Sequence, residues 1–85
     1  MNRDEARALV IRSLSEVAPE IDVDAVDPEV PLQEQLDLDS IDFLNFITGL
    51  EEGAGVRIPE PDYAKVSSLS SAVDYLERAP HLASS

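Results

Sequence analysis

The sequence predicts an all-α domain of three main helices, one short helix and a long first loop around one core. Three observations predict it. Apolar residues recur at three- and four-residue intervals in three separate stretches. Prolines and a Gly-Ala-Gly run fall where those stretches stop. The apolar content of 44% comes mainly from Leu, Ile, Val and Ala, with two Phe, two Tyr and no Trp, which is the composition of a small helical core. Eighty-five residues make one domain, 1–85, and leave little room for a deep catalytic cleft as well as a core.

The first helix opens at Asn2, an N-cap with Glu5 placed to complete a capping box. Ala6, Leu9, Val10, Leu14 and Val17 then form one face, and Ala18-Pro19 ends the helix at Val17 or Ala18. Residues 19–39 hold three of the six prolines, yet Ile21, Val23, Val26, Val30, Leu32, Leu36 and Leu38 anchor them. So long a connection has a purpose in a compact domain. It reads as a crossover over the bundle with a short helical turn near Leu32–Gln35. The second main helix starts after Asp39 and runs to about Glu52, where Gly53-Ala54-Gly55 breaks it.

Val56–Pro59 is extended, and Pro61 suits the first position of a short helical turn over Pro61–Lys65. Ser68 or Ser70 caps the last helix, which carries Leu69, Ala72, Val73 and Leu76 on one face. Pro80 stops it, and 81–85 is expected to be a mobile tail. The near-terminal start of the first helix and the short tail lead to the expectation of a free-standing protein.

Eighteen acidic and six basic side chains give a net charge of −12. A field of that sign repels phosphate backbones and anionic lipids, so nucleic acid and membrane surfaces are not expected partners. Basic protein surfaces are. The absence of Cys excludes disulfides and thiolate chemistry from the chain itself. No stretch has the length of a membrane span, and the N-terminus lacks the basic-then-apolar order of a signal peptide. The expectation is a soluble, cytoplasmic monomer.

The chemistry concentrates in 36–44, Leu-Asp-Leu-Asp-Ser-Ile-Asp-Phe-Leu. Asp39 is placed to cap the second helix, a contribution of about 1 kcal/mol. Ser40 then falls in the first turn, where the helix dipole favours a phosphate ester by roughly 0.3–1 kcal/mol. Asp37, Asp39 and Asp42 would repel a free phosphate. The conflict eases if the phosphate is held covalently and the acids serve a visiting enzyme that carries basic residues and Mg²⁺. Stepping about 100° per residue puts Phe43, Phe46, Ile47 and Leu50 on one face. Ile41, Leu44 and the Thr48 methyl fall on another stripe, with Asn45 inside it and Glu51 and Glu52 at its flank. An apolar strip rimmed by acids reads as a docking surface. The plainer alternative packs Ile41 and Leu44 under the long loop.

The run Asp39-Ser40-Ile41-Asp42, preceded by Leu36 and followed by Leu50-Glu51-Glu52, resembles the signature of acyl carrier proteins. Their attachment motif is Asp-Ser-Leu, followed by an acid and by an apolar helix ending in Leu-Glu-Glu. Gly55-Val56-Arg57-Ile58-Pro59 and Ala72-Val73-Asp74-Tyr75-Leu76 are similar to later family segments, so the likeness spans nearly the whole chain. It implies an acyl-carrier-like four-helix bundle and a non-catalytic carrier. A phosphopantetheinyl transferase would attach 4′-phosphopantetheine from coenzyme A to Ser40, making a phosphoprotein. The arm's thiol would hold acyl groups as thioesters for enzymes of fatty-acid, polyketide or related specialised biosynthesis.

Asp39 then serves transferase recognition as well as capping, while Ile41, Asp42, Leu44, Asn45, Thr48, Glu51 and Glu52 make the partner surface. The implied partners also include an acyl- or aminoacyl-activating enzyme and a synthase or acyltransferase with a basic docking surface. Asn45 stands where many members have an acid, Gly49 interrupts the helix at a cost of about 1 kcal/mol, and Gly53-Ala54 suggests a loose helix end. These departures leave room for a specialised pathway.

Four rival readings remain to be weighed. A hydrolytic serine needs a base, but the only histidine is His81 and no Gly-x-Ser-x-Gly elbow surrounds Ser40. A calcium loop needs alternating ligands and a central Gly, which Ser40-Ile41 interrupts. An acidic interaction domain without a cofactor would leave Ser40 an ordinary helix-start serine. An aminoacyl or peptidyl carrier would share the fold and arm, although its motif more often places Gly-Gly and His before the Ser. Tyr63 and Tyr75 read as packing residues and His81 as solvated.

Overall fold

The computed structural model describes residues 1–78. Four α-helices form in order: α1 (Arg3–Val17), α2 (Leu32–Leu36), α3 (Ser40–Ala54) and α4 (Leu69–Arg78). Two 3-10 segments, Val23–Ala25 and Glu60–Val66, join them, and the described residues contain no strand. The short helix expected at Pro61–Lys65 is the second of these; it begins one residue earlier, with Pro59 as its N-cap. Pro80 and the tail at 81–85 lie outside the described residues.

The capping box on α1 is complete. Asn2 Oδ1 accepts from the Glu5 amide at 2.8 Å, and Glu5 Oε1 accepts from the Asn2 amide at 3.1 Å. Ser68, rather than Ser70, caps α4: its Oγ accepts from the Ser71 amide at 3.2 Å, while Ser71 Oγ accepts from the Ser68 amide at 3.1 Å. The Ser70 amide instead donates to Pro28 O at 2.9 Å, which ties α4 to the long loop.

One hydrophobic cluster fills the centre. Leu9, Val10 and Leu14 of α1 meet Phe46, Ile47 and Leu50 of α3 and Val73 and Leu76 of α4. Leu32 enters from α2 and Val66 from the second 3-10 segment, both fully buried. Their burial is the main favourable term in the fold, at roughly 1.5–3 kcal/mol for each large aliphatic side chain. Val17, expected on the core face of α1, lies half-buried at its end, while Ser13 is buried opposite α3.

Gln35 supplies three of the hydrogen bonds that order the long loop. Gln35 Oε1 accepts from the Asp27 amide at 2.9 Å, and Gln35 Nε2 donates to Asp27 O at 2.8 Å and Val30 O at 2.9 Å. A further bond from the Leu32 amide to Ser67 O at 2.7 Å ties the start of α2 to the segment before α4. These pairings satisfy backbone groups that no regular element serves.

The end of α3 corrects the sequence-based expectation. The helix passes through Gly53 and stops at Ala54, and Gly55 supplies the left-handed terminus with φ 67°. Gly53 is a packing glycine. A Cβ there would overlap Leu9 Cδ1 and come within 2.9 Å of Arg12 Nη2. Gly49, one turn earlier, faces α1 in the same way, 2.9 Å from Ser13 Oγ by the same construction. The two absent side chains leave room for Ser13, Leu9 and Arg12 of α1 against α3.

Candidate functional site

The candidate site is built where the long loop enters α3. Asp37, which ends α2, takes the left-handed conformation (φ 56°, ψ 40°), the one positive φ outside glycine among the described residues. Leu36 and Leu38 on either side of it pack partly against the core. Asp39 is extended, and its Oδ1 accepts from the Asp42 amide at 2.8 Å, as an N-cap does. Its carbonyl accepts from the Phe43 amide at 3.0 Å.

Ser40 is therefore the first residue of a fifteen-residue helix, and it is exposed. The amides of Ser40 and Ile41 have no acceptor among the described residues, and the Ser40 hydroxyl bonds to none of them. An uncovered hydroxyl beside two open amides at the positive end of a helix fits a covalently attached phosphodiester.

The two stripes of α3 separate as the periodicity predicts. Phe43, Phe46, Ile47 and Leu50 are buried, while Ile41 is 68% and Leu44 45% exposed. The alternative in which these two pack beneath the loop is thus overturned. They are the exposed large hydrophobic residues of the described chain, and they follow Ser40 in the first turns of its own helix. Asn45 and Thr48 are exposed as well, with Thr48 Oγ1 donating to Leu44 O at 3.0 Å. Asp42, Asn45, Thr48, Gly49 and Glu52 line one wall of an open groove of about 420 Å³, whose other wall is Glu16 and Val17 of α1.

Glu51 departs from that surface. It is half-buried, and its Oε2 accepts from the Ile58 amide at 2.8 Å. Its carbonyl accepts from the Gly55 and Val56 amides at 2.9 and 3.3 Å. Glu51 thus holds the chain after α3 in place, and Glu52 is the acid of the pair that lines the groove. Sequence spacing pairs the two because they are adjacent; the carboxylate's partner seven residues later is a tertiary fact.

Tyr63 and Tyr75 pack, as expected, and Tyr75 also makes a bond the spacing did not reveal. The Tyr63 ring meets Phe43 edge-on at 6.4 Å. The Tyr75 hydroxyl donates to Asp62 Oδ2 at 2.7 Å, and Lys65 Nζ lies 3.2 Å from Asp62 Oδ1. Burial, then the bond to Asp62, pushes the Tyr75 hydroxyl up to about 12. The Tyr75 bond, then Lys65, holds the Asp62 carboxyl below the usual range. Together with Glu51, this contact fastens the segment that covers Phe43.

The chain is similar to known proteins over most of its length. The family model described as a phosphopantetheine attachment site matches residues 8–76. An acyl carrier protein of Rubrobacter xylanophilus is 32% identical, the match covering 89% of this chain and 93% of that protein. One of Campylobacter fetus is 38% identical over 87% and 90%. Among solved structures, an acyl carrier protein from Enterococcus faecalis superposes with a TM-score of 0.72 at 26% identity, covering 91% of this chain and 96% of that one.

Proposed function

The chain belongs to the acyl carrier proteins and bears phosphopantetheine, and from that premise we propose that Ser40 is the residue to which the arm is joined. The observation that carries the assignment is the placement of Ser40, an exposed hydroxyl at the first position of α3 with Ile41 and Leu44 open beside it. When attached, the arm supplies a terminal thiol for carrying acyl groups as thioesters. The chain's residues do the rest. Asp39 fixes the first turn of α3 and keeps the Ser40 hydroxyl turned outward for a transferase. Ile41 and Leu44 offer apolar contact, while Asp42, Glu52 and the amide of Asn45 offer polar contact to a basic partner surface.

The protein is a carrier for fatty-acid, polyketide or related specialised biosynthesis, working as a cytoplasmic monomer and presenting cargo to a synthase or acyltransferase. It catalyses no step itself. No helix among the described residues is long and apolar enough to cross a membrane.

Intact mass tests the assignment. Incubation with coenzyme A, Mg²⁺ and a promiscuous phosphopantetheinyl transferase adds one arm to the chain and none to Ser40→Ala. An unmodified chain, under conditions that load a control carrier, would refute it.

A further inference from the structure

Where α1 ends, the surface opens into a second groove. It is lined by Val17, Ala18, Pro19, Glu20, Ile21 and Leu36, and its volume is about 410 Å³. Clefts that hold small molecules run from about 300 to 1,000 Å³. All the lining residues except Glu20 are apolar, and Val17, Ile21 and Leu36 pack only partly against the core. Ser13 of α1 lies against Gly49 of α3 and Leu9 against Gly53, so the two helices run antiparallel and α1 ends where α3 begins. Leu36 precedes Ser40 by four residues, so no more than about 14 Å separates their backbones. An extended phosphopantetheine arm spans that distance. The C-terminal end of α4 is remote from the groove, since Asp74 and Glu77 meet Arg3 at the other end of α1.

Resting on the assignment of Ser40, we infer that this groove seats the apolar end of acyl cargo carried on the arm. A tethered chain meets a nearby surface at roughly millimolar effective concentration, so even a shallow apolar groove is populated. The core is closed to such a chain. Phe46, Ile47, Leu50, Val66 and Leu76 are essentially free of solvent. The segment that covers Phe43 is fastened by Glu51 to the Ile58 amide and by Tyr75 to Asp62. Entry there would break these bonds, whereas the groove is already open. The neighbouring groove along α3 shares Val17 but carries Glu16, Asp42 and Glu52, whose hydration an apolar chain would disturb. Of the two grooves, the one beside Ile21 and Leu36 therefore suits apolar cargo.

The acetyl and octanoyl thioesters of coenzyme A serve as probes. A promiscuous phosphopantetheinyl transferase with Mg²⁺ loads each onto the chain, and intact mass verifies one arm. Methyl NMR then compares the two loaded forms, and nuclear Overhauser contacts from the octanoyl chain report which residues it touches. Two substitutions accompany the parent chain. Ile21→Thr removes apolar surface from the groove, and Ala18→Leu fills it while leaving every core side chain in place.

Contacts to Ile21 and Leu36 are expected in the octanoyl form, with shifts at Val17 and Ala18 that the acetyl form lacks. Both substitutions should weaken these contacts by about two- to fourfold, while the Ile47, Leu50 and Leu76 methyls keep their parent positions. Octanoyl contacts to Ile47, Leu50 or Leu76 would overturn the inference, because the cargo would then lie in the core. An octanoyl chain that touches no methyl, or groove shifts that arise only when a partner enzyme is added, would overturn it as well. In each of those cases the loaded chain leaves the assignment of Ser40 standing. If the parent chain does not load at all, the assignment of Ser40 falls and the inference with it.

Discussion

The two faces of α3 are made from the same fifteen residues and do opposite work. On the inner face, Phe46, Ile47 and Leu50 are essentially free of solvent, and Gly49 and Gly53 let α1 approach where side chains would collide. On the outer face, Ile41 and Leu44 remain open to solvent, with Asn45, Thr48 and Glu52 around them. Apolar surface is left open to solvent on one side, and glycine stands in place of helix-favouring residues where α1 lies against the other. One helix thereby carries a packed face and an open one. Substitutions on its two faces should accordingly be felt in different measurements.

The largest effect belongs to the inner face. Phe46→Ala empties a fully buried site and should lower unfolding free energy by about 3–5 kcal/mol in urea titration. Arm transfer to Ser40 should fall only with the folded fraction. Gly53→Leu comes next, costing about 1–3 kcal/mol because Leu9 and Arg12 already fill the space. An unchanged or raised urea midpoint would show that α1 gives way there, and the two faces would then differ less sharply than proposed.

Asp39→Ala tests the junction of the two faces. Loss of the cap should lower stability by about 1 kcal/mol and loosen the turn that presents Ser40, so thermal melting and the rate of arm transfer should drop together.

A pH titration tests the cover over the inner face. Because folding raises the Tyr75 hydroxyl to about 12 from its usual 10, the stability it contributes is complete below pH 10 and is lost as pH climbs through 12. Asp62 acts at the other end of the scale. Its lowered carboxyl contributes above the ordinary carboxylate range and loses that contribution as pH falls through the depressed value. Tyr75→Phe should flatten the alkaline loss in chemical denaturation at pH 9–12.

The smallest stability change belongs to the outer face. Ile41→Ala should shift unfolding by no more than about 0.5 kcal/mol. The same substitution should weaken acyl transfer by a partner synthase, measured as a rise in KM. A loss of stability comparable to that of Phe46→Ala would erase the distinction between the faces.

Much of this was legible in the sequence because it depends on short range. Capping at Asn2 and Asp39, the burial of Phe43, Phe46, Ile47 and Leu50, and the exposure of Ile41 and Leu44 follow from neighbours within about one helical turn. Capping by Asp39 placed Ser40 in the first turn of a helix, and the resemblance to acyl carrier proteins set it apart from an ordinary helix-start serine.

What only the tertiary structure decided involves partners distant in sequence. Gly53 lies inside α3 with Leu9 and Arg12 where its side chain would stand, although its residue type marks a helix stop. Glu51 turns from the docking stripe to the Ile58 amide, Gln35 ties Asp27 and Val30 into an ordered loop, and Tyr75 fastens Asp62 across thirteen positions. Local periodicity states which way a side chain points. Only the folded chain determines what it meets there, and so which glycine lies against a neighbouring helix and which acid holds the backbone.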